Sequence, residues 1–352
     1  MQLFTSPRGQ AMPGPTRPLT SADFGPRPDT AVTWLGSAGI FLNSRGSTLM
    51  VDPLLQDFDM PLLIQPPIRP RQVPRLDALL ITHIDNDHFS RSGCLDMKDA
   101  CRSYHAPRYV AEQIAALGLP GNGHDIGETF QAGCISATLT PARHNWQNGS
   151  QKWSYRHWEE NDYCGYWFDT PDGSIWLPVD SQLLPSHQTM PQPDLILLDF
   201  SDNEWHITFE GAVRLANAYP QARLLCIHWG SVDAPDWSTF NGDPAALAAR
   251  VSHPERVLAP RPRRERAAVT ALRPIHNSSM SRILQGCGFS ALQKENTSNP
   301  TIQRVSRGAP QAQNPNFFPI GEGFGFFIFF GELNHGAASY PKPHQKVGRA
   351  RR

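Results

Sequence analysis

The chain has 352 residues, of which 39% are hydrophobic and 33 are prolines. This length suits one large domain or two ordinary ones, and the high proline content argues against a helical bundle. The formal net charge of zero points to neither a nucleic-acid partner nor a membrane partner. No apolar stretch is as long as a transmembrane helix, which needs about 18 residues.

Charge is distributed unevenly along the chain. Residues 1–260 carry 18 Lys and Arg against 28 Asp and Glu, whereas residues 261–352 carry 14 Lys and Arg against 4 Asp and Glu. This change predicts a boundary near residue 260. We expect residues 261–352 to be a basic tail that is disordered or non-native. A basic arm for nucleic acid or an acidic partner is the alternative, but no interleaved aromatic residues or fold motif support it, so we expect no nucleic-acid partner.

The six cysteines show no CxxC pair, which favours buried free thiols in a reducing compartment over a disulfide framework. The first residues also lack the roughly 7–15-residue apolar run of a signal peptide. We therefore expect a cytoplasmic protein without a membrane span. The sequence assigns no oligomeric state.

Secondary structure is predicted from Ala31 onward. Residues 1–30 contain six prolines and little periodicity, which predicts a disordered lead-in. The predicted strands are 31–34, 40–42, 49–51, 78–81, 135–139, 165–168, 175–177, 195–198, 224–227 and 256–259, and the predicted helices are 110–117, 209–218 and 244–251. This alternation predicts an α/β domain over residues 31–260.

Polar residues follow three of the predicted strands. His83, Asp180 and His228 each come after an apolar run, at its carboxyl end. Loops at such strand ends converge over a rigid sheet in layered α/β proteins. We therefore expect these three side chains to meet in one site.

The segment Thr82–Phe89 contains four side chains that can bind a metal, namely His83, Asp85, Asp87 and His88. Imidazole suits zinc and iron, and carboxylate suits harder cations. A tight loop after a strand could direct these side chains at two adjacent ions. The alternative interpretation is a solvated polar loop.

The pattern His83-x-Asp85-x-Asp87-His88 resembles the HxHxDH signature of the metallo-β-lactamase superfamily, with Asp85 at the position of the second His. The segment around His144 is similar to the next motif of that superfamily. The following strand resembles the one that carries a bridging Asp, here Asp180, although Val179 stands where Gly is usual.

The final motif is Leu225–Gly230, which contains His228. Its His-Trp-Gly form is similar to the branch that contains N-acyl-phosphatidylethanolamine phospholipase D and the ascorbate-6-phosphate lactonases. Thr33–Gly39 and Leu49–Pro53 resemble the opening strands of that branch. The resemblance covers about residues 31–260.

The resemblance implies a four-layer αββα sandwich of the metallo-β-lactamase type. It also implies two divalent metal ions, zinc foremost, with manganese and iron as alternatives. The implied ligands of one ion are His83, Asp85 and His144, those of the other are Asp87, His88 and His228, and Asp180 bridges the two.

The implied activity is hydrolysis of a small molecule by a hydroxide that the two metals activate. A phosphodiester is favoured slightly over a lactone or another ester, and a non-catalytic scaffold protein is the rival hypothesis, which Asp85 favours. In the catalytic hypothesis Asp85 or Asp87 orients the nucleophile, and metal-bound water or His206 protonates the leaving group. The alternative for His206 is a structural role at a helix N-terminus.

Other residues have weaker expectations. Asp52 either holds a ligand histidine by its second nitrogen or caps a turn. Asp233, Asp236 and Asn241 follow the His228 motif and could line the cleft. Five further histidines are expected to be structural or exposed, namely His105, His124, His157, His187 and His253.

Overall fold

The computed structural model describes residues 3–56, residues 58–259 and the backbone of Ala267–Ala268. The strands are β1 (Phe4–Thr5), β2 (Ala11–Met12), β3 (Thr30–Gly36), β4 (Gly39–Ser44), β5 (Ser47–Val51), β6 (Ala78–Leu80), β7 (Tyr104–Pro107), β8 (Gly121–His124), β9 (Thr129–Ala132), β10 (Ile135–Pro141), β11 (Cys164–Thr170), β12 (Gly173–Leu177), β13 (Leu195–Leu198), β14 (Arg223–Cys226), β15 (Val257–Leu258) and β16 (Ala267–Ala268). The α-helices are α1 (Arg91–Asp96), α2 (Arg108–Ala116), α3 (Phe209–Ala218) and α4 (Pro244–Ala248).

Two seven-stranded sheets carry the fold. The first sheet has the order β16-β3-β4-β5-β6-β7-β8, and the second has the order β15-β14-β13-β12-β11-β10-β9. Both are mixed, since β3, β4 and β5 pair antiparallel while β5, β6, β7 and β8 pair parallel, and the second sheet changes from antiparallel to parallel at β12. Helix α2 packs against the first sheet and helix α4 against the second.

The central strands are apolar because they are buried. Every residue of β6 and β13 is buried, as the continuous apolar runs at these positions predict. Between the sheets, the Tyr166 hydroxyl of β11 donates to the Ile81 carbonyl after β6 at 3.2 Å. Two mixed sheets flanked by helices confirm the predicted α/β sandwich.

Some elements could be located in advance and others could not. Strand β13 and helix α3 have the predicted bounds, because one is a short apolar run and the other has clear helical periodicity. Strands β7, β8 and β9 and helix α1 were not predicted. The sequence of β8 is Gly-Asn-Gly-His, which has low β-propensity, so only its pairing with β7 makes it a strand.

Residues 3–30 differ from the expected disordered lead-in. Strands β1 and β2 form a hairpin, a 3₁₀-helix follows at Ser21–Phe24, and Leu19 and Phe24 are buried. The buried Gln10 amide donates to the carbonyls of Val232 and Phe240 at 3.0 and 2.7 Å. Tertiary contacts of this kind order a proline-rich segment whose own sequence lacks periodicity.

The described residues all belong to the first of two units, Met1–Ala291, and the second unit, Leu292–Arg352, lies outside them. The expected basic tail therefore remains a prediction. None of the helices in residues 3–56 and 58–259 has the length and apolar character that a bilayer crossing requires.

Candidate metal centre

Four buried polar residues lie just beyond the carboxyl ends of strands. His83 follows β6, Asp180 follows β12, Asp199 follows β13 and His228 follows β14. Because β12, β13 and β14 run parallel, their carboxyl ends lie at one edge of the second sheet. Binding sites gather at such edges in α/β proteins, and the structure places the site there.

One cluster joins His83, Asp85 and His144, whose candidate ligand atoms all lie within 4.8 Å of one another. Asp85 Oδ2 lies 3.5 Å from His83 Nε2 and 3.4 Å from His144 Nε2. His144 Nδ1 donates to the Trp205 carbonyl at 2.9 Å, which directs Nε2 into the cluster.

A second cluster joins Asp87, His88 and His228 within the same 4.8 Å limit. Asp87 Oδ2 lies 3.2 Å from His228 Nε2 and 3.6 Å from His88 Nε2. The outer nitrogen of His228 is again tied to the protein, since Nδ1 lies 3.1 Å from the Thr239 carbonyl. Each imidazole thus presents Nε2 to the carboxylate.

Asp180 lies between the two clusters. Its Oδ2 is 3.1 Å from His88 Nε2 and 3.5 Å from His228 Nε2, and it also forms a group with His83 and His88 whose ligand atoms lie within 4.8 Å of one another. The structure therefore brings together all seven residues that the sequence predicted as ligands.

Asp52 makes the contacts of a residue that holds a ligand. Asp52 Oδ2 lies 2.8 Å from His88 Nδ1, and the same carboxylate accepts hydrogen bonds from the backbone and hydroxyl of Thr82 at 2.9 and 2.5 Å. Asp52 is completely buried. The sequence left two roles open for Asp52, and this contact with His88 is the one expected of a residue that holds a ligand histidine.

The donor set of these clusters fits divalent cations. Imidazole nitrogens and carboxylate oxygens are the ligands that zinc, manganese and iron take in proteins. Among the described residues, His83 Nε2 and Asp180 Oδ1 are buried atoms without a hydrogen-bond partner. An unsatisfied buried polar atom costs about 1–3 kcal/mol, a cost that a bound cation would remove. The clusters are therefore able to bind metal.

A family model for the β-lactamase superfamily domain matches residues 47–229, which is more than half of the chain and includes all seven clustered residues. The chain belongs to the β-lactamase superfamily.

Curated relatives in this superfamily match part of the chain. A metal-dependent hydrolase of Myxococcus xanthus (strain DK1622) is 30% identical over 142 residues, which are 39% of this chain and 47% of the relative. Another from Archaeoglobus fulgidus is 26% identical over 118 residues, which are 32% of this chain and 46% of the relative. The chain spans about half the length of the curated relatives it matches.

Solved structures share the fold. Igni18, a metallo hydrolase from the archaeon Ignicoccus hospitalis, has a TM-score of 0.52 at 15% identity and covers 66% of this chain and 96% of its own. A Veillonella parvula protein described as a possible metal-dependent hydrolase has a TM-score of 0.51 at 15% identity, covering 65% of this chain and 98% of its own. The family model shows the superfamily, and the more specific branch that the His-Trp-Gly motif resembles stays a prediction.

Backbone strain is concentrated at this superfamily site. Asp52, Val179 and His228 have φ angles of 44°, 62° and 60°, in the left-handed region that favours glycine. Such conformations cost on the order of 1–3 kcal/mol each and cluster at functional sites. Val179, which precedes Asp180 in the chain, adopts this conformation despite its branched side chain. This explains why the superfamily motif usually has glycine at that position.

His206 and Asp199 extend the centre. His206 Nδ1 donates to Asp199 Oδ2 at 2.6 Å, and His206 Nε2 lies 3.7 Å from Asp180 Oδ2. Asp199 also forms a group with Asp180, His206 and His228 within 4.8 Å. The sequence analysis predicted His206 but missed Asp199, although Asp199 follows a buried strand as His83, Asp180 and His228 do.

Three other candidates for the cleft contact residues outside the two clusters. Asp233 and Asp236 lie 3.4 and 2.9 Å from the Arg8 guanidinium, and Asn241 donates to the Pro235 carbonyl at 2.6 Å. Asp236 and Asn241 line a cavity of about 590 Å³ beside the β1–β2 hairpin. The contacts of Arg8 with Asp233 and Asp236 were not predicted, and a role of the three residues at the cleft stays a prediction.

Five histidines were expected to be structural or exposed. They belong to none of the metal-competent groups found among the described residues: His105, His124, His157, His187 and His253.

Charge in the centre is dominated by carboxylates. Burial lowers the pKa of His228, but Asp180 and Asp87 outweigh burial and raise it to about 9. Burial likewise opposes the charge on Asp85, yet hydrogen bonds with His144 and His83 hold its pKa below the usual range. Positive charge beside these carboxylates is therefore favourable, whether protonated imidazole or a bound cation supplies it.

Proposed function

We propose that this chain is a metal-dependent hydrolase that works with two divalent cations. The observation that carries the proposal is the convergence of two His-and-Asp clusters on Asp180, with buried ligand atoms left unsatisfied. The names of the curated relatives support the hydrolase assignment.

The proposed ligands of one cation are His83, Asp85 and His144. Those of the other are Asp87, His88 and His228, with Asp180 shared between the two. When bound, the cations supply Lewis acidity that activates water at neutral pH and stabilises developing negative charge on the substrate. We favour zinc, with manganese and iron as alternatives.

The protein's own residues position the reacting groups and move protons. Asp85 and Asp87 have carboxylate oxygens at the centre and are proposed to orient the attacking water. Because a carboxylate only accepts, the Asp199 contact assigns the proton of His206 to Nδ1 and leaves Nε2 as the atom that exchanges a proton. We propose that His206 Nε2 accepts the proton that the attacking water releases and then delivers it to the leaving group.

The proposed substrate is a small-molecule phosphodiester. This choice follows the resemblance of the Leu225–Gly230 motif, and a lactone or another ester is the alternative. Shielding of the site supports hydrolytic chemistry, because side-chain exposure at Asp85, Asp87 and Asp180 is 7%, 12% and 3% and low local dielectric strengthens electrostatic stabilisation.

The five cysteines in the described residues are free thiols, four of them buried, which supports a cytoplasmic location. The sixth, Cys287, lies outside those residues.

The test is hydrolysis by metal-loaded full-length protein of a bis-aryl phosphodiester and of a panel of lactones. We expect zinc- or manganese-dependent turnover that is lost in Asp180→Ala, because this substitution removes a ligand from both clusters. Metal content measured on the same sample should fall with it.

Asp169→Ala is the matched control, since Asp169 is an exposed carboxylate on β11. It should retain both metal and turnover. Full activity of Asp180→Ala would refute the hydrolase proposal, and turnover of lactones alone would replace the phosphodiester assignment. A protein that binds no divalent metal would favour the scaffold hypothesis.

A further inference from the structure

Asp85 stands where the superfamily signature has a histidine, and its surroundings are matched to a carboxylate. Trp146 Nε1 donates to Asp85 Oδ2 at 2.7 Å, and Gln147 Nε2 donates to Asp85 Oδ1 at 2.6 Å. Both donors lie on the 3₁₀-helix Trp146–Gly149, which follows the ligand His144 by one residue. Each oxygen of the carboxylate therefore has its own neutral N–H donor.

The Gln147 amide is also held on the side away from Asp85. The Tyr163 hydroxyl donates to Gln147 Oε1 at 2.7 Å, and both side chains are completely buried. Since the amide oxygen faces Tyr163, the amide NH₂ faces Asp85. Burial raises the pKa of the Tyr163 phenol, so it remains a donor at neutral pH.

A histidine at position 85 would not suit these partners. A ligating imidazole has one nitrogen left, and in metal sites that nitrogen usually donates a hydrogen bond. Trp146 Nε1 and Gln147 Nε2 are themselves donors and offer it no acceptor. An ionised carboxylate accepts both hydrogen bonds and still has lone pairs for a cation.

Asp85 also makes the two halves of the centre alike. His83, Asp85 and His144 supply two imidazoles and one carboxylate, and so do Asp87, His88 and His228. With a histidine at position 85, one half would offer three imidazoles. Because carboxylate oxygen suits harder cations such as manganese and imidazole suits zinc, the replacement shifts the first half toward harder ions.

We infer that the half formed by His83, Asp85 and His144 is adapted to a harder divalent cation, with Mn²⁺ as the representative ion. Trp146 and Gln147 are positioning residues that hold the carboxylate responsible for this adaptation. The inference rests on the proposed function in assuming that the clusters bind metal.

The first experiment is a competition between two metals. Chelator-stripped full-length protein is equilibrated with equal concentrations of ZnCl₂ and MnCl₂, and the bound metals are quantified by mass spectrometry. We expect Asp85→His to raise the ratio of zinc to manganese affinity at one of two equivalents by about tenfold or more. An unchanged ratio at both equivalents would overturn the inference.

The second experiment leaves Asp85 in place and removes its donors. Trp146→Phe removes the indole N–H together with part of the ring, and Gln147→Met removes the amide at nearly constant volume. Loss of such an outer partner typically weakens metal binding about 10–100-fold, and we expect this loss for Mn²⁺ at one equivalent only. Titration of the stripped protein with MnCl₂ measures it.

The matched control is Asn43→Leu. Asn43 is a buried amide whose Nδ2 donates to the carbonyls of Asp23 and Gly25 at 2.8 and 3.0 Å. It should lower thermal stability and leave Mn²⁺ affinity unchanged. If the donor-deletion variants bind Mn²⁺ as the control does, the positioning role is refuted.

The outcomes separate the inference from the function on which it rests. Wild-type protein that binds neither Zn²⁺ nor Mn²⁺ would overturn both. If the protein binds two ions and Asp85→His leaves its ratio of zinc to manganese affinity unchanged, the inference alone is overturned and the dinuclear hydrolase proposal stands.

Discussion

Two groups of neighbouring histidines in this molecule have opposite electrostatic surroundings. At the metal centre, His228 lies against Asp87 and Asp180, and its pKa is raised to about 9 despite burial. At β7 and β8, His105 Nδ1 lies 2.9 Å from His124 Nε2, and the His105 ring stacks on Phe130 at 3.9 Å. Burial, with a smaller contribution from His124, lowers the pKa of His105 to about 4.

The difference shows what marks a cation site. Both groups bring histidines within hydrogen-bonding distance of a neighbour, so histidine density alone does not separate them. His105 has a hydroxyl, Ser103 Oγ, at 3.0 Å and an aromatic ring beside it, an environment that favours neutral imidazole. Buried carboxylates among the histidines distinguish the metal centre.

Among the tests of this contrast, we expect the largest effect from Asp52→Asn, which should weaken metal binding. The substitution keeps the shape of the side chain but removes the charge that lies 2.8 Å from His88 Nδ1. Since outer partners of this kind typically contribute about 10–100-fold in metal affinity, we expect a loss of that size in the half containing His88. Titration of stripped protein with ZnCl₂ measures it.

Asp77→Asn is the matched control for charge removal. Asp77 accepts a hydrogen bond from the Thr48 backbone at 2.9 Å, and its side chain is 10% exposed. Metal affinity should be unaffected by this variant. Equal losses in both variants would show that Asp52 acts through stability and not through His88.

A smaller effect is expected from His105→Gln on acid stability. The pKa of His105 is lowered from 6.5 to about 4, so between these pH values the unfolded chain binds a proton that the folded chain does not. The free energy of unfolding therefore falls as pH falls through this window. Without the imidazole, the slope should decrease by up to about 1.4 kcal/mol per pH unit.

Denaturant unfolding at several pH values between 4 and about 6.5 measures that slope. The titratable group facing His105 is His124, whose Nδ1 lies 3.7 Å from Glu128. His157→Gln, at an exposed histidine, should leave the slope unchanged. If His105→Gln lowered metal content instead, the contrast between the two groups would fail.

The sequence located the clustered residues better than it located the residues that hold them in place. His83, Asp180 and His228 could be located because each follows an apolar run, and strand ends converge in α/β folds. For Asp52 the sequence left two roles open, because its contact with His88 depends on how β5 and β6 pair. Asp199 carries the same strand-end signal and was overlooked.

Other features depend on contacts between distant segments. The hydrogen bonds of Trp146 and Gln147 to Asp85 join residues about sixty positions apart in the chain. The order of residues 3–30 depends in the same way on Gln10, which bonds to Val232 and Phe240. Local periodicity contains no information about such pairs. The prediction for residues 1–30 therefore rested on composition, which indicated disorder.

The central claim is that buried carboxylates and histidines around Asp180 bind two divalent cations. Anomalous diffraction at the zinc and manganese edges, from crystals of metal-loaded protein, tests it most directly. The account predicts two peaks roughly 3.5–4 Å apart, one beside Asp85 and the other beside Asp87. Absence of anomalous density next to Asp180, or a metal bound at His105 and His124 instead, would contradict it.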